Sequence, residues 1–186
     1  INYRTGIVEL GQGSPFGHIK IVSEITGVPI DKIIIDLPDT DSTLNAKPTH
    51  GSRGLMLGAT AAAKAALKLR ENMVACASEL LEIPEDRIEL LEGKARYKED
   101  TDTCISIREL AEEMYNRGYD PGAHGYFKAP KRFFDPKTGL GVNYSVYTFA
   151  ATVAEVEVDT ETGEIAVTKI WPAMDCGQAI DPMMIE

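Results

Sequence analysis

The sequence predicts an α+β fold in two layers: a mixed sheet with helices on one face, a duplicated helix–strand unit, and a C-terminal β-hairpin. Three observations predict it. Helical apolar spacing alternates with short β-branched runs through the first half. The stretch Ser23-Glu24-Ile25-Thr26-Gly27-Val28-Pro29-Ile30-Asp31-Lys32-Ile33 is echoed by Ser78-Glu79-Leu80-Leu81-Glu82-Ile83-Pro84-Glu85-Asp86-Arg87-Ile88, with serine, glutamate, proline, aspartate and isoleucine in register. Near the end, two strand-like runs flank Asp159-Thr160-Glu161-Thr162-Gly163-Glu164, a strong hairpin signal.

The elements follow in order. Ile7 to Leu10 reads as a short strand. Gly11-Gln12-Gly13 is a turn, Ser14 is placed to cap a helix, and Pro15 suits the first helical position. Phe16, Ile19, Ile21, Val22 and Ile25 give that helix its apolar face, and Gly27 stops it. Ile33-Ile34-Ile35 is a continuous apolar run, expected as a buried strand. The polar, turn-rich segment from Asp39 to His50 is a long loop, a type that tends to be functional in compact domains. Gly51-Ser52-Arg53-Gly54 leads into a long helix, Leu55 to Leu81, whose alanines favour helix and allow close packing. The repeat implies two helix–strand units lying side by side. Ile88–Leu91 and Ala95–Tyr97 form a hairpin around Glu92-Gly93-Lys94. Ser106 caps a short helix, Ile107 to Asn116, ending before Gly118. Residues 119–148 are irregular, with one strand near Gly125 to Phe127. Ala150–Val158 and Ile165–Ala173 make the last hairpin. Residues 1–118 are read as the α+β core, and 119–186 as an irregular segment and hairpin completing the same domain.

Composition narrows the function. Lys and Arg number 19 against 29 Asp and Glu, a net charge of −10, so the long-range field repels nucleic acid. An anionic ligand would need local groups such as helix N-termini. Cys76, Cys104 and Cys176 form no CxxC and are odd in number, which argues against a disulfide framework and suits a reducing cytoplasm. No apolar run is long enough to cross a bilayer. Ile1-Asn2-Tyr3 and Met184-Ile185-Glu186 both read as cuts from a longer chain.

The chemistry concentrates at two helix starts. Gly11-Gln12-Gly13-Ser14 and Gly51-Ser52-Arg53-Gly54 both place small residues before a helix. Glycine admits a ligand close to the backbone, and the first helical N–H groups have no internal partner. Arg53 adds a forked cation suited to phosphate. If the two units lie side by side, both starts face one crevice and form a bipartite site for a pyrophosphate-bearing ligand. The alternative is that each segment is a plain helix cap. A nicotinamide-fold reading is weak: Gly11, Gly13 and Gly17 are spaced one residue too long, and Asp36 is an ordinary acidic match. His18 is expected at the helix surface or the edge of the core. His50 could face a ligand but more simply bonds its loop. His18, His50 and His124 lack metal-ligand spacing, and no nucleophile motif occurs.

Four ordered segments resemble the molybdenum hydroxylases, the xanthine dehydrogenase and aldehyde oxidase family. They are Gly11-Gln12-Gly13; Pro38 to Thr43 with Thr49-His50-Gly51-Ser52-Arg53; Glu155 to Asp159 with Thr162-Gly163-Glu164; and Asp175-Cys176-Gly177-Gln178-Ala179-Ile180-Asp181-Pro182. The last is similar to the family's DxGxxINP motif, with Asp181 where asparagine is usual. The resemblance implies a molybdenum–pterin cofactor, molybdopterin, often extended by cytosine dinucleotide in bacteria. It implies that Gln12 hydrogen-bonds the molybdenum or pterin side, and that Gly11, Gly13, Gly51, Ser52 and Arg53 cradle the pterin and its phosphates. Residues 1–118 are then the cofactor-binding core.

By the same resemblance, the family's catalytic glutamate lies downstream of this chain. The fragment is therefore expected to be inactive alone, with no catalytic residue of its own. The full subunit would be an oxidoreductase that hydroxylates an aldehyde or N-heterocycle with water. Expected partners are the remaining domains of the large subunit and iron–sulfur and flavin subunits or domains, without nucleic acid or membrane. Apolar surface left where a neighbour docks would drive self-association. The competing reading is a non-catalytic cofactor-binding or assembly module on the same fold.

Overall fold

The computed structural model describes every residue except Leu37, Lys131, Arg132, Asn143, Ser145 and Glu186. The chain forms two compact units, Ile1–Lys128 and Ala129–Glu186, so residues 119–128 go with the first.

The first unit carries β1 (Asn2–Arg4), α1 (Ser14–Thr26), β2 (Ile34–Asp36), a π-helical turn Gly54–Ala59 running into α2 (Thr60–Leu81), then β3 (Ile88–Leu91), β4 (Lys94–Tyr97), β5 (Cys104–Ser106) and α3 (Ile107–Arg117). The class is α+β, as expected. Its strands divide into small sheets rather than one: a parallel β1–β2 pair and an antiparallel β3–β4–β5 sheet.

Two core clusters hold the unit. One packs α1 on α2 through Ile19, Val22, Ala62 and Ala66, with Val28 and Ile33. The other packs α2 and α3 on the three-stranded sheet through Met73, Cys76, Leu90, Leu110 and Met114. Burying each such large side chain stabilises the fold by about 1.5–3 kcal/mol.

The internal repeat is real in three dimensions. Ser23 Oγ donates to Val28 O at 2.6 Å, and Ser78 Oγ donates to Ile83 O at 2.6 Å. Gly27 and Glu82 both end their helices in the left-handed conformation. Pro29 and Pro84 then adopt nearly identical dihedrals (φ −55, ψ 142 and φ −54, ψ 142), each followed by one 3₁₀ turn and a strand. The first copy touches the hairpin that follows the second: Gly93 N–H donates to Gly27 O at 2.8 Å. A Cβ at Gly27 would lie 2.5 Å from the Leu90 backbone, so glycine is required there for packing as well as for its φ of +69.

Four local expectations are corrected. Ile7–Leu10 is not a strand: β1 precedes it, and at Gly6 the chain passes so close to Leu44 O that no side chain fits. Only Ile7 of that segment is buried; Leu10 is 72% exposed. Ser14 does not cap α1. Gly13 is the cap residue at φ 71, while Ser14 is buried as the first helical residue. The apolar run at Ile33 is buried only in part. Ile33 is inside, but Ile34 is 62% exposed, because successive side chains of an extended chain point to opposite faces. No strand forms near Gly125, whose backbone instead lies against Ala61 and Ala65 of α2. The expected Ser106 cap is present as a full capping box with Glu109.

The second unit is dominated by β6 (Phe149–Val158) and β7 (Ile165–Asp175), paired antiparallel. Glu155 pairs with Lys169 and Val156 with Val167, leaving Thr168 as a bulge. That extra residue resets the alternation. Ile165, Val167, Ile170, Pro172 and Met174 consequently share one face. Lys169 lies on the other face, over the Trp171 ring at 4.8 Å.

Candidate cofactor-binding site

α1 buries a stripe of Ser14, His18, Val22 and Thr26, spaced four apart. The facing stripe is Gly54, Gly58, Ala62 and Ala66, also four apart and small. These small residues let the two backbones approach. A Cβ at Gly54 would lie 3.0 Å from Ser14 Oγ, and one at Gly58 only 2.8 Å from His18 Cε1. The two helix starts therefore lie side by side, as the repeat implied.

Two loops lead into these starts, and one carbonyl ties them together. Val8 O accepts from Gln12 Nε2 at 3.0 Å and from Thr49 Oγ1 at 2.8 Å. Of the six residues singled out, Gly11, Gln12, Gly13, Gly51 and Ser52 are exposed and Arg53 is half-buried. A Cβ at Gly11, Gly13 or Gly51 would meet nothing within 4 Å, and all three have positive φ. These backbones are open to a large ligand.

The two starts differ in their hydrogen bonding. Glu9 Oε1 accepts from Gly11 N–H at 2.7 Å and Gly13 N–H at 2.8 Å. Gln12 is engaged too: its Oε1 accepts from Leu10 N–H at 2.6 Å, and its Nε2 also donates to Ser14 Oγ at 2.6 Å. The first turn is thus organised by its own side chains. At the second start, the amides of Gly51 and Ser52 have no hydrogen-bond acceptor among the described residues. Both residues sit in the left-handed region, at φ 54 and 58. Arg53 Nη1 clamps the approach by donating to Ala46 O at 2.5 Å and Pro48 O at 3.0 Å.

His18 lies neither at the helix surface nor at the edge of the core, the two places the sequence suggests; it is fully buried. Nδ1 lies 2.8 Å from Tyr3 Oη and Nε2 lies 3.0 Å from Gly54 O. Burial pushes the imidazole pKa below its ordinary value, opposed by the Gly54 carbonyl. Its place four residues from Ser14 and four from Val22 was the available sequence signal. Glu9 was missed as well, because a carboxylate two and four residues before two glycine amides has no named motif. His50 is exposed, and its carbonyl accepts from Arg53 N–H at 3.1 Å; His124 is also exposed. No cluster of metal-ligating side chains occurs among the described residues. The donors present are backbone amides, hydroxyls and a guanidinium, a set that fits phosphate and pterin polar groups. A shallow depression on α3, lined by Arg108, Ala111, Glu112, Tyr115 and Asn116, includes none of them.

A family model described as "Molybdopterin cofactor-binding domain" matches residues 1–186. The chain is 27% identical to the carbon monoxide dehydrogenase large chain of Hydrogenophaga pseudoflava, covering 98% of this chain and 22% of that one. It is 29% identical to xanthine dehydrogenase of Oryza sativa subsp. japonica, over 95% of this chain and 11% of that one. A solved structure of reconstituted CO dehydrogenase from Oligotropha carboxidovorans superposes with a TM-score of 0.80 at 27% identity, over 99% of this chain and 22% of that chain. The chain thus spans about a fifth or less of the length of these relatives.

Proposed function

The chain belongs to the molybdopterin cofactor-binding domain family, and from that premise we infer that the open loop at Gly51, Ser52 and Arg53 grips the phosphate-bearing part of the pterin. The observation that carries this reading is the pair of amides at Gly51 and Ser52, left without acceptors on exposed left-handed backbone beside a cationic side chain. Unpaired backbone N–H groups on a turn of this kind favour an anion, and the helix start that follows adds about 0.3–2 kcal/mol, depending on burial. In an acidic chain this local field is what holds a phosphate.

Gly11, Gln12 and Gly13 form the second wall, toward the pterin ring. Glu9 holds this turn in shape, and one lone pair of Gln12 Oε1 remains for a ligand donor. The extended cytosine dinucleotide form of the cofactor matches a bipartite cradle of this kind.

The protein containing this chain is read as a molybdenum-dependent oxidoreductase of the xanthine dehydrogenase and aldehyde oxidase type. It would oxidise an aldehyde or N-heterocycle with water as oxygen source. The bound cofactor supplies the two-electron redox chemistry; the residues here bind and orient it. Iron–sulfur and flavin domains or subunits are the proposed electron partners, and the cytoplasm is the proposed location. This segment alone is proposed to contribute binding and no turnover.

The test is cofactor content. The protein carrying this chain, produced in a host that makes the cofactor, should hold molybdenum and pterin in equal amounts. Replacing Ser52 and Arg53 together by alanine should lower both at least tenfold, about 1.4 kcal/mol. Unchanged content in that double variant, with folding intact, would rule the cradle out.

A further inference from the structure

His18 takes no part in the cradle just described, yet it touches both of its sides. It sits on the second turn of α1, one turn beyond the Gly11–Gly13 loop, and bonds the carbonyl of Gly54, the residue covalently next to Arg53. A carbonyl can only accept, so Nε2 carries the proton. Nδ1 is then the acceptor, and the Tyr3 hydroxyl donates to it. The imidazole is neutral with both nitrogens satisfied. The Tyr3 and His18 rings meet edge to face at 5.8 Å. Gly58 leaves the space the ring fills: a Cβ there would lie 2.9 Å from His18 Nε2 and 3.1 Å from Ile7 Cγ1.

We propose that His18 is a positioning residue, setting the Gly51–Arg53 loop against the Gly11–Gly13 turn through its bond to Gly54 O and its anchor on Tyr3. This rests on the cradle reading above. The physical reason is that apolar contacts between α1 and α2 fix distance but permit sliding, whereas a buried directional bond fixes register. Gly54 directly follows Arg53 in the chain, so a shift of its carbonyl passes into Arg53 and Ser52.

The experiment compares wild type with His18→Leu, His18→Gln, Tyr3→Phe and Met114→Ala in the protein carrying this chain, made in a cofactor-producing host. Molybdenum and pterin per polypeptide, melting temperature, and the amide NMR resonances of Gly51, Ser52 and Arg53 are measured. His18→Leu should retain about tenfold less cofactor, the effect of one lost buried bond. His18→Gln should restore retention to within about threefold, since its amide both donates and accepts. Met114→Ala, in the other core cluster, should lower the melting temperature at least as much yet keep wild-type cofactor content. The three amide resonances should move in His18→Leu and stay in Met114→Ala.

Wild-type retention in His18→Leu, or loss in Met114→Ala matching that in His18→Leu, would reduce His18 to a structural role. If His18→Leu does not fold, Tyr3→Phe decides: reduced retention supports positioning and unchanged retention overturns it. The amide shifts do not need cofactor. A wild type empty of pterin would therefore overturn the functional reading while the resonances still judge His18.

Discussion

At the start of α1, the amides of Gly11 and Gly13 face the carboxylate of Glu9. Across the helix pair, the amides of Gly51 and Ser52 face no acceptor among the described residues. The residue types are nearly the same: glycines, a serine and a following helix. What separates them is one acidic side chain within reach of the first pair. A helix start that carries its own anion is a finished piece of structure, while one that lacks it leaves its amides open, which is why the proposed phosphate grip is assigned to the second start. α3 supplies a third case, closed by Ser106 and Glu109 in a capping box.

The comparison can be broken most forcefully at the contact between the starts. Gly58→Val places carbon where His18 sits and should destabilise the fold by about 3 kcal/mol, seen as a large drop in denaturation midpoint. A wild-type midpoint would mean the starts are not held together as described. Next, Arg53→Ala should lower cofactor content about tenfold, or about 1.4 kcal/mol, while α1 is unaffected. Equal losses from Arg53→Ala and from a change in the first turn would erase the distinction.

Acid should act through His18. Its pKa is lower folded than unfolded, so the unfolded chain binds the extra proton first. The stability this group contributes is complete above the ordinary histidine range and falls as pH drops through it toward the folded value. Urea midpoints taken across that range should decline more steeply in wild type than in His18→Gln. A weaker effect of about 1 kcal/mol is expected for Ser106→Ala, with no change in cofactor content. Glu109 is held below the usual carboxylate range chiefly by the Ser106 hydroxyl, so its contribution is present at neutral pH and lost as acid protonates it. The smallest change should come from Glu9→Gln. Its amide oxygen still accepts from Gly11 and Gly13, so melting should barely move and cofactor content should stay at or slightly above wild type. A large loss of cofactor there would place the active anion site at the first start instead.

Much of the frame was legible. The repeat of serine, glutamate, proline, aspartate and isoleucine carries its own geometry, because a hydroxyl–carbonyl bond and a proline φ are local. Ser106 and Gly118 bound α3 for the same reason. The last hairpin follows from alternation around a glycine turn, although the bulge at Thr168 does not, since bulges depend on what the partner strand offers. The two glycine-flanked starts proposed as the site were legible as segments, and the structure sets them side by side. Their asymmetry was not legible, because Glu9 acts through a loop conformation that no periodicity encodes.

What the sequence settled alone is therefore what neighbours in the chain decide: the serine–proline turns of the repeat, the Gly27 and Gly118 helix ends, the Ser106 cap and the last hairpin. Only the tertiary structure decided that Ile34 faces outward, that His18 lies wholly inside, and that Val8 O joins both loops. These depend on partners 15 to 41 residues away in the chain, and a side chain's burial or bonding to such a partner exists only once the backbones have met.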